Sequence, residues 1–479
     1  MNRMFRPAWI LAAVFLGGCA SVQKDAGFGE VQKLSAARTG QTVEWNSGSS
    51  DDQAIASKIH TMLAAELSVD KAVQIALLNN RNIQVTYEGL GIAQADLVQA
   101  GLLKNPVFSV SARFPDGGGG TNLELGVTQQ FIDILTLPMR RKLAAAKFET
   151  EKLRVAGSVV ALANDTRAAY FQLQGAEQML ELRRTVVEAS AASYEATKRI
   201  HEAGNITDLN RANEQAMYEQ ARLDLARAEA EVADDREKLG LLLGLWGRDS
   251  AFTVAKHLPD LPSEAVKLEG LESIAVANRL DLLAAAQEVQ TTAQSLGIAK
   301  NTALFSEAEI GVDGEHDAGG GWLTGPNVSV PIPIFDGGQA STARARGMLR
   351  QSRQRYRATA VEVRSQVRMA RNHLQSARQR ADFLRNVVLP LRQQILDKTQ
   401  LEYNGMLIGV FQLIAAKQAQ INAGQEYVES IRDYWLARVE LERGIGTSLS
   451  EVEPPGTMPA MPAPAKATMV PAPHHHQSK

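Results

Sequence analysis

Cys19 is the only cysteine in the 479-residue chain, so any thiol chemistry must take place there. It follows two basic residues, Arg3 and Arg6, a short apolar stretch over residues 9–16, and two glycines. The stretch is too short to cross a bilayer as a helix and has the layout of a secretory leader. A lone cysteine after such a leader has no disulfide partner in its own chain. We therefore predict a lipoprotein signal peptide that ends at residue 18 and a covalent lipid on Cys19. The alternative is an ordinary leader with an incidental cysteine.

The carboxyl-terminal tail is the second place where side chains could do chemistry. Imidazole and thioether groups suit copper or silver ions, so this Pro- and Ala-rich tail could collect metal. Histidines without a fixed geometry bind many divalent ions weakly, and we favour a disordered tail without a metal role. The weak candidates are Met458, Met461, Met469, His474, His475 and His476.

No other part of the sequence has the spacing of a catalytic or cofactor site. The glycine runs at residues 117–120 and 319–321 lack the lysine and hydroxyl that a phosphate-binding loop needs. We find neither a nucleophile elbow nor a His and Glu pair with zincin spacing. We therefore predict that the chain is not an enzyme and has no cofactor besides the lipid.

Charge and composition disfavour a nucleic-acid partner and favour long helices. The formal net charge is −2, and removal of Arg3 and Arg6 with the leader makes it −4. Eleven arginines lie between Arg344 and Arg380, with Glu362 as the only acid. We interpret them as a solvated face near anionic headgroups, not as a nucleic-acid patch. Aromatic residues make up only 5%, which is typical of closely packed long helices and not of a large globular core.

The sequence contains two similar units about 200 residues apart. Residues 200–209 in the first unit correspond to residues 402–411 in the second, and residues 125–133 correspond to residues 328–336. A repeat of this length indicates a duplicated supersecondary unit. Each unit reads as helix, strand, glycine-rich loop, strand, long helix, turn and long helix.

Each unit includes a stretch with the alternation of an amphipathic β-hairpin, at about residues 106–131 and 305–335. Four strands cannot close a barrel, and an open edge in lipid leaves backbone groups unpaired. If these hairpins enter a membrane, further copies of the chain must supply the missing strands. The alternative is a pair of soluble surface hairpins. The alternating apolar residues are Phe108, Val110, Ala112, Phe114, Leu123, Leu125, Val127, Ala308, Ile310, Val312, Val328, Val330, Ile332 and Ile334.

Long helices follow each predicted hairpin. Residues 137–203 predict a helix about 100 Å long, with a heptad pattern from Leu173 to Tyr194. Its partner helix carries small and apolar residues at steps of three and four, which we predict to be the seam of an antiparallel coiled-coil hairpin. The seam residues are Leu209, Ala212, Ala216, Leu223, Ala226, Ala230 and Ala233.

The second unit predicts a helix over residues 339–403, with a kink at Pro390. The two hairpin tips are then residues 204–208 and 405–409, and we expect their turns to use Gly204, Asn205, Thr207, Gly405 and Gly409. The whole chain divides into a signal peptide (1–18), an extended arm (19–66), a first repeat (67–248), a linker (249–269), a second repeat (270–446) and a disordered tail (447–479).

Taken together, these features resemble the TolC-type outer-membrane efflux proteins, in particular their lipoprotein branch with CusC and OprM. The resemblance covers residue 67 to about residue 446 and rests on residues 67–80, on Asn105 and Pro106, on residues 333–338 and on the duplicated tips. It implies a mainly helical chain with membrane β-strands that forms a homotrimer. Each chain then gives four strands to a twelve-stranded barrel, which a helical barrel continues through the periplasm.

The resemblance also implies partners and an address. The partners are a periplasmic adaptor (membrane-fusion) protein and an inner-membrane transporter of the RND type. Bacterial lipoproteins kept in the inner membrane usually carry aspartate after the lipidated cysteine. Ala20 and Ser21 stand there instead, which implies anchoring in outer-membrane lipid with the chain extending into the periplasm.

Members of this family close the periplasmic end with polar and charged residues near the tips. Asp208 falls on an acidic position of that kind, but Leu407 stands where a basic partner occurs, and Phe411 and Ile414 stand where an acidic ring occurs. We therefore expect an apolar constriction, which closes a pore by dewetting. The alternative is that Phe411 and Ile414 are seam residues of the coiled coil.

The sequence thus predicts the outer-membrane channel of a tripartite efflux system, with drugs or heavy-metal ions of the copper or silver type as cargo. The alternative is a structural coiled-coil lipoprotein that tethers the envelope. Such a tether has no need of four amphipathic strands with polar inner faces.

Overall fold

The computed structural model describes residues 25–46, 51–114, 116, 120–264, 268–302, 308–316 and 320–449. Two shorter helices lie directly before each strand pair, a pair of long helical segments follows it, and two further helices begin the first half. The elements of the first half are α1 (Phe28–Thr39), α2 (Asp51–Leu63), α3 (Val69–Asn79), α4 (Arg81–Ala100), β1 (Val107–Arg113), β2 (Asn122–Gln130), α5 (Phe131–Glu202) and α6 (Asp208–Leu243).

The second half repeats the pattern after a short 3₁₀ turn at Gly247–Ser250. No described helix combines the length and the apolar run needed to cross a bilayer. The elements are α7 (Leu271–Asn278), α8 (Leu280–Asn301), β3 (Glu309–His316), β4 (Trp322–Ser329), α9 (Gln339–Phe383), a π-helical turn (Leu384–Val388), α10 (Leu389–Asn404) and α11 (Val410–Ile445).

The four strands form one antiparallel sheet in the order β1-β2-β3-β4. The two hairpins join through β2 and β3, where Val127 lies opposite Val312. The predicted fold class, a mainly helical chain with a small four-stranded sheet, is therefore confirmed. Within the described chain β1 and β4 each have one strand neighbour, so both outer edges of the sheet are open.

The fourth strand lies earlier in the sequence than predicted. We expected the chain to return at residues 328–334, but β4 begins at Trp322 and already ends at Ser329. Pro331 and Pro333 follow, and a proline has no N–H to donate to a strand ladder. The proline-containing segment therefore connects the sheet to α9 instead of pairing.

Where the repeat pattern predicts one helix before the first hairpin, the structure has two, α3 and α4, with Asn80 between them. The Asn80 side-chain oxygen accepts from the N–H groups of Asn82 and Ile83 at 2.9 and 3.1 Å and so caps α4. Its amide group donates to the carbonyl of Leu242 at 2.9 Å. The break therefore ties α3 and α4 to the end of α6.

The prediction of an extended arm over residues 19–66 is wrong for the described part, since α1 and α2 lie there. Phe28 packs against Trp45 and Tyr87, with ring centroids 5.7 and 5.0 Å away. Lys152 of α5 also pairs with Glu30 of α1. Burial of the aromatic cluster and this ion pair hold the helical segment against the first repeat.

α5 and α6 form the predicted hairpin, but α6 packs against α5 through a different face from the predicted seam. The inward side chains include Ala228, Val232 and Leu239, which are buried. Leu209 and Leu223 of the predicted seam are 62% and 57% exposed, and its alanines are exposed as well. Two faces of α6 carry spacing of three and four, and α5 packs against the face that holds Ala228, Val232 and Leu239.

The long helix of the second unit is interrupted just before Pro390. A π-helical turn at Leu384–Val388 joins α9 to α10. Proline removes one helical hydrogen bond and its ring crowds the preceding turn, which a widened turn accommodates. The predicted kink site is therefore a π-helical turn.

The two repeats share a core at mid-height of the helices. Phe171 of α5 stacks on Trp435 of α11 with ring centroids 5.1 Å apart. The Trp435 indole N–H donates to the carbonyl of Pro259 at 2.9 Å, and the buried Tyr170 hydroxyl donates to the carbonyl of Leu67 at 2.8 Å. These contacts fix the hairpins relative to each other far from their tips.

Candidate functional site

The tip of the α5–α6 hairpin is a tight turn with its backbone groups bonded. Gly204 has a φ of +77°, a left-handed conformation that other residues adopt only at a cost. The N–H of Asn205 donates to the carbonyl of Ile200 at 3.1 Å and closes α5. The Thr207 hydroxyl accepts from the N–H of Asn210 at 3.3 Å and caps α6.

Asp208 lies in the first turn of α6, with its side chain 83% exposed. Its Oδ1 is 3.0 Å from Nε2 of His201 and 3.5 Å from a guanidinium nitrogen of Arg211. Exposed pairs of this kind contribute about 0–1 kcal/mol. Both partners belong to the same hairpin as Asp208, so within one chain this carboxylate does not join the two tips.

The tip of the α10–α11 hairpin uses Met406 as its left-handed residue. Met406 has a φ of +59°, whereas Gly405 and Gly409 have φ values of −78° and −84°. The N–H of Leu407 donates to the carbonyl of Glu402 at 2.9 Å, as Asn205 does in the first tip. Gly405 and Gly409 therefore adopt conformations open to any residue, contrary to our reason for singling them out. Alignment of residues 200–209 with 402–411 places Met406 on Gly204, so the repeat itself indicates the left-handed position of the second tip.

The second tip is apolar where the first is polar. Met406 is 92% exposed and Leu407 78% exposed. Phe411 is 51% exposed, Ile414 is half-buried, and Leu413 is the buried residue of this turn. Leu413 thus fills the seam of the hairpin, and the Phe411 side chain is available for contacts outside it.

One face of the sheet is polar and carries a surplus of acids. The register places Ser109, Gly126 and Asp313 in one row and Ser111, Glu124 and Glu315 in the next. Glu309 lies on the same face, and Arg113, its one base, pairs with Glu124 at 3.1 Å. This face of the described sheet therefore carries four carboxylates and one guanidinium group.

The opposite face of the sheet is apolar. Phe108, Val127 and Val312 form one row across three strands, and Val110 lies opposite Leu125. Large residues on this face are exposed in the single chain, including Phe108 at 64% and Val312 at 61%. Trp322 and Phe114 lie near the turns, and Phe131 lies near the helices, as in the aromatic girdles of membrane barrels.

Comparisons with known proteins agree with this geometry. Residues 72–245 match the family described as outer membrane efflux protein. The chain is 21% identical over 393 residues to the cobalt-zinc-cadmium resistance protein CzcC of Cupriavidus metallidurans, which covers 80% of this chain and 91% of that protein. The fold is similar to the solved structures of the CmeC outer membrane channel of Campylobacter jejuni and of CusC, with TM-scores of 0.69 and 0.66. Identities are 16% and 18%, and the alignments cover 80% of this chain and 87% and 93% of those chains.

By its family match over residues 72–245, its curated relatives and its fold, the chain is similar to the outer membrane efflux proteins. In the described residues the candidates lie at two places, the hairpin tips and the polar face of the sheet. Cys19 and the Met and His residues of the tail lie outside the described residues. In the part that the structure describes, no three His, Cys, Asp or Glu side chains converge to hold a metal ion.

Proposed function

We propose that three copies of the chain form the outer-membrane duct of a tripartite efflux system. The observation that carries this is the single sheet with an apolar face, a polar face and two open edges. An open edge leaves backbone N–H and C=O groups unpaired in lipid, at a cost of several kcal/mol each by order of magnitude. Closure between copies satisfies both edges at once.

The long helices support the same assembly. The exposed seam on α6, from Leu209 to Ala233, runs along one side of the first hairpin. Exposed apolar residues also follow α10, with Leu391 at 51% and Leu401 at 70%. Large apolar surfaces of this kind mark interaction sites. Packing of these faces between copies continues the barrel as a helical tunnel.

The cargo we propose is cationic. In a closed barrel the apolar face meets lipid, so the acid-rich face lines the lumen and attracts cations. CzcC, to which the chain is similar, is a cobalt-zinc-cadmium resistance protein. Other relatives at 25% identity are toluene and antibiotic efflux pump proteins of Pseudomonas putida, so organic compounds are a second cargo class.

The proposed duct has two protein partners and a lipid anchor. A channel that ends at periplasmic tips needs a source of energised transport, which a periplasmic adaptor and an RND-type inner-membrane transporter supply in tripartite systems. A covalent lipid on Cys19 adds a second hold on the outer membrane besides the barrel.

A selectivity measurement in planar bilayers tests this function. We expect the reconstituted protein to conduct with a preference for K⁺ over Cl⁻, since the lumen carries excess negative charge. The double variant Asp313→Lys and Glu315→Lys should reverse the sign of the reversal potential in a salt gradient. Val312→Thr on the apolar face is the matched control and should leave that potential unchanged. Absence of conductance from correctly inserted protein, in the Phe411→Asp and Ile414→Asp variant as well as in the wild type, would support a structural tether instead.

A further inference from the structure

A row of exposed arginines runs along one face of α9. Its members follow one another at steps of three, four or seven residues, so their side chains project from the same side of the helix. At a rise of ~1.5 Å per residue the row is ~38 Å long. We call it the arginine stripe, and its residues are Arg346, Arg350, Arg353, Arg357, Arg364 and Arg371.

The arginine stripe has no counter-charge in the described chain. None of its six guanidinium groups forms a hydrogen bond or an ion pair with another described residue. Glu362, the one acid between the two ends of the stripe, lies on the opposite face of the helix. On that opposite face Arg355 and Arg380 pair with Glu288 and Asp433. Like charges at such spacing destabilise a helix, so the stripe is a positive surface that needs an anionic partner from outside.

The arginine stripe faces the outer side of the proposed duct. Beside its lower end, Arg368 pairs with Glu272 of the short helix α7 at 3.2 Å. Just below it on the same face, Arg378 donates to the carbonyl of Pro262 in the linker at 2.9 Å. A duct must keep its axis open, so the short segments that pack on its long helices lie outside it. The stripe shares their side of α9.

Lipid headgroups can reach only the top of the arginine stripe. Arg346 lies seven residues into α9, which is ~10 Å from the helix start, and Arg353 lies ~21 Å from it. A headgroup layer is ~5–8 Å thick, and its charge is screened within ~8 Å at physiological salt. The four arginines from Arg353 to Arg371 therefore lie too far from the membrane to be neutralised by it.

A neighbouring copy of the chain offers too few acids. Closure of the barrel joins β4 of one copy to β1 of the next, and so places α9 beside the α4 helix that leads into β1. Helix α4 has two acids, Glu88 and Asp96, and begins with the base Arg81. Glu88 already accepts from the Trp45 indole at 2.9 Å. The partner of the stripe is therefore a long anionic molecule outside the trimer.

We propose that the arginine stripe binds peptidoglycan through the carboxylates of its stem peptides. This polymer lies in the periplasm beneath the outer membrane, which is where the proposed function places the outer face of α9, and the inference rests on that function. A guanidinium group forms paired hydrogen bonds with a carboxylate, and the stripe repeats this contact along an extended polymer. Three copies then hold the duct to the cell wall at three places around its circumference.

The test is co-sedimentation of the detergent-solubilised full chain with purified peptidoglycan sacculi. The triple variant Arg353→Gln, Arg357→Gln and Arg364→Gln should bind about tenfold more weakly, since each exposed ion pair contributes a factor of up to about five. Lysine at the same three positions keeps the charge and should retain most of the binding. Sacculi whose carboxylates have been amidated should not bind the wild type.

The matched control removes three exposed charges that lie off the stripe. Arg344 is on the opposite face of α9, and Arg392 and Lys398 are on α10. The triple variant Arg344→Gln, Arg392→Gln and Lys398→Gln should therefore bind sacculi as the wild type does.

Two results would overturn the proposal. Equal binding of sacculi by the stripe variant and the control variant would make the stripe a solvated face. Loss of binding to phosphatidylglycerol vesicles, with binding to sacculi unchanged, would assign the stripe to the membrane surface. Conductance in planar bilayers separates these results from the duct itself, because a protein that conducts without binding sacculi refutes only the wall contact.

Discussion

The double variant Phe411→Asp and Ile414→Asp is expected to hold the resting channel open. In the proposed trimer these side chains come from three copies at the periplasmic end, where an apolar ring excludes water and ions. Aspartates wet the ring, and like charges about 4 Å apart repel by ~1 kcal/mol in water and ~4 kcal/mol at a protein surface. Single-channel conductance should rise, and cells should become permeable to vancomycin, which an intact outer membrane excludes.

The control for this variant adds the same charge elsewhere on the same helix. Gln418 and Asn422 are exposed on α11 and bonded to each other at 2.8 Å, so Gln418→Asp with Asn422→Asp adds two acids away from the tip. Unchanged conductance in an assembled Phe411→Asp and Ile414→Asp variant would place these residues in the packing between helices. The constriction would then lie at Asp208 and its neighbours.

Cys19→Ser is expected to abolish incorporation of labelled palmitate completely. Cys19 is the only thiol, so the chain offers no second cysteine for acylation. The protein should remain in the outer membrane, because a closed barrel holds it there and one lipid group adds only a marginal, reversible affinity. The measurements are autoradiography of the purified protein and its distribution between membrane fractions.

The matched control for the anchor moves the thiol by two positions. Cys19→Ser combined with Ser21→Cys restores a cysteine but not its place after the leader, so it should stay unlabelled. Full labelling of Cys19→Ser would refute the lipoprotein hypothesis. Release of Cys19→Ser from the membrane would instead show that the strands do not anchor the chain.

The parts of the fold that the sequence predicted correctly have a residue pattern with one dominant period. Alternation of Phe108, Val110 and Ala112 marks the apolar side of β1 whatever the strand packs against, because the period of two belongs to the strand itself. The duplicated tips likewise located both hairpins. Pro390 alone predicted where the long helix is interrupted. That the interruption is a π-helical turn depends on how α9 and α10 pack.

The wrong predictions concern features that depend on a distant segment of the same chain. Both faces of α6 have coiled-coil spacing, and only the shape of α5 decides that Val232 and Leu239 turn inward while Leu223 stays exposed. The break at Asn80 depends on a distant carbonyl of Leu242. Ser193 of α5 bonds to both Glu214 of α6 and Lys417 of α11, and no local spacing in the sequence could have predicted this contact among three helices.

The most direct test of the trimeric duct is the mass of the detergent-solubilised particle together with hydrogen exchange of its outer strands. We expect three chains per particle, with the amides of β1 and β4 as slow to exchange as those of β2 and β3, because barrel closure pairs both edges. A stable monomer in which both hairpins are ordered but the edges of β1 and β4 exchange freely would contradict the duct.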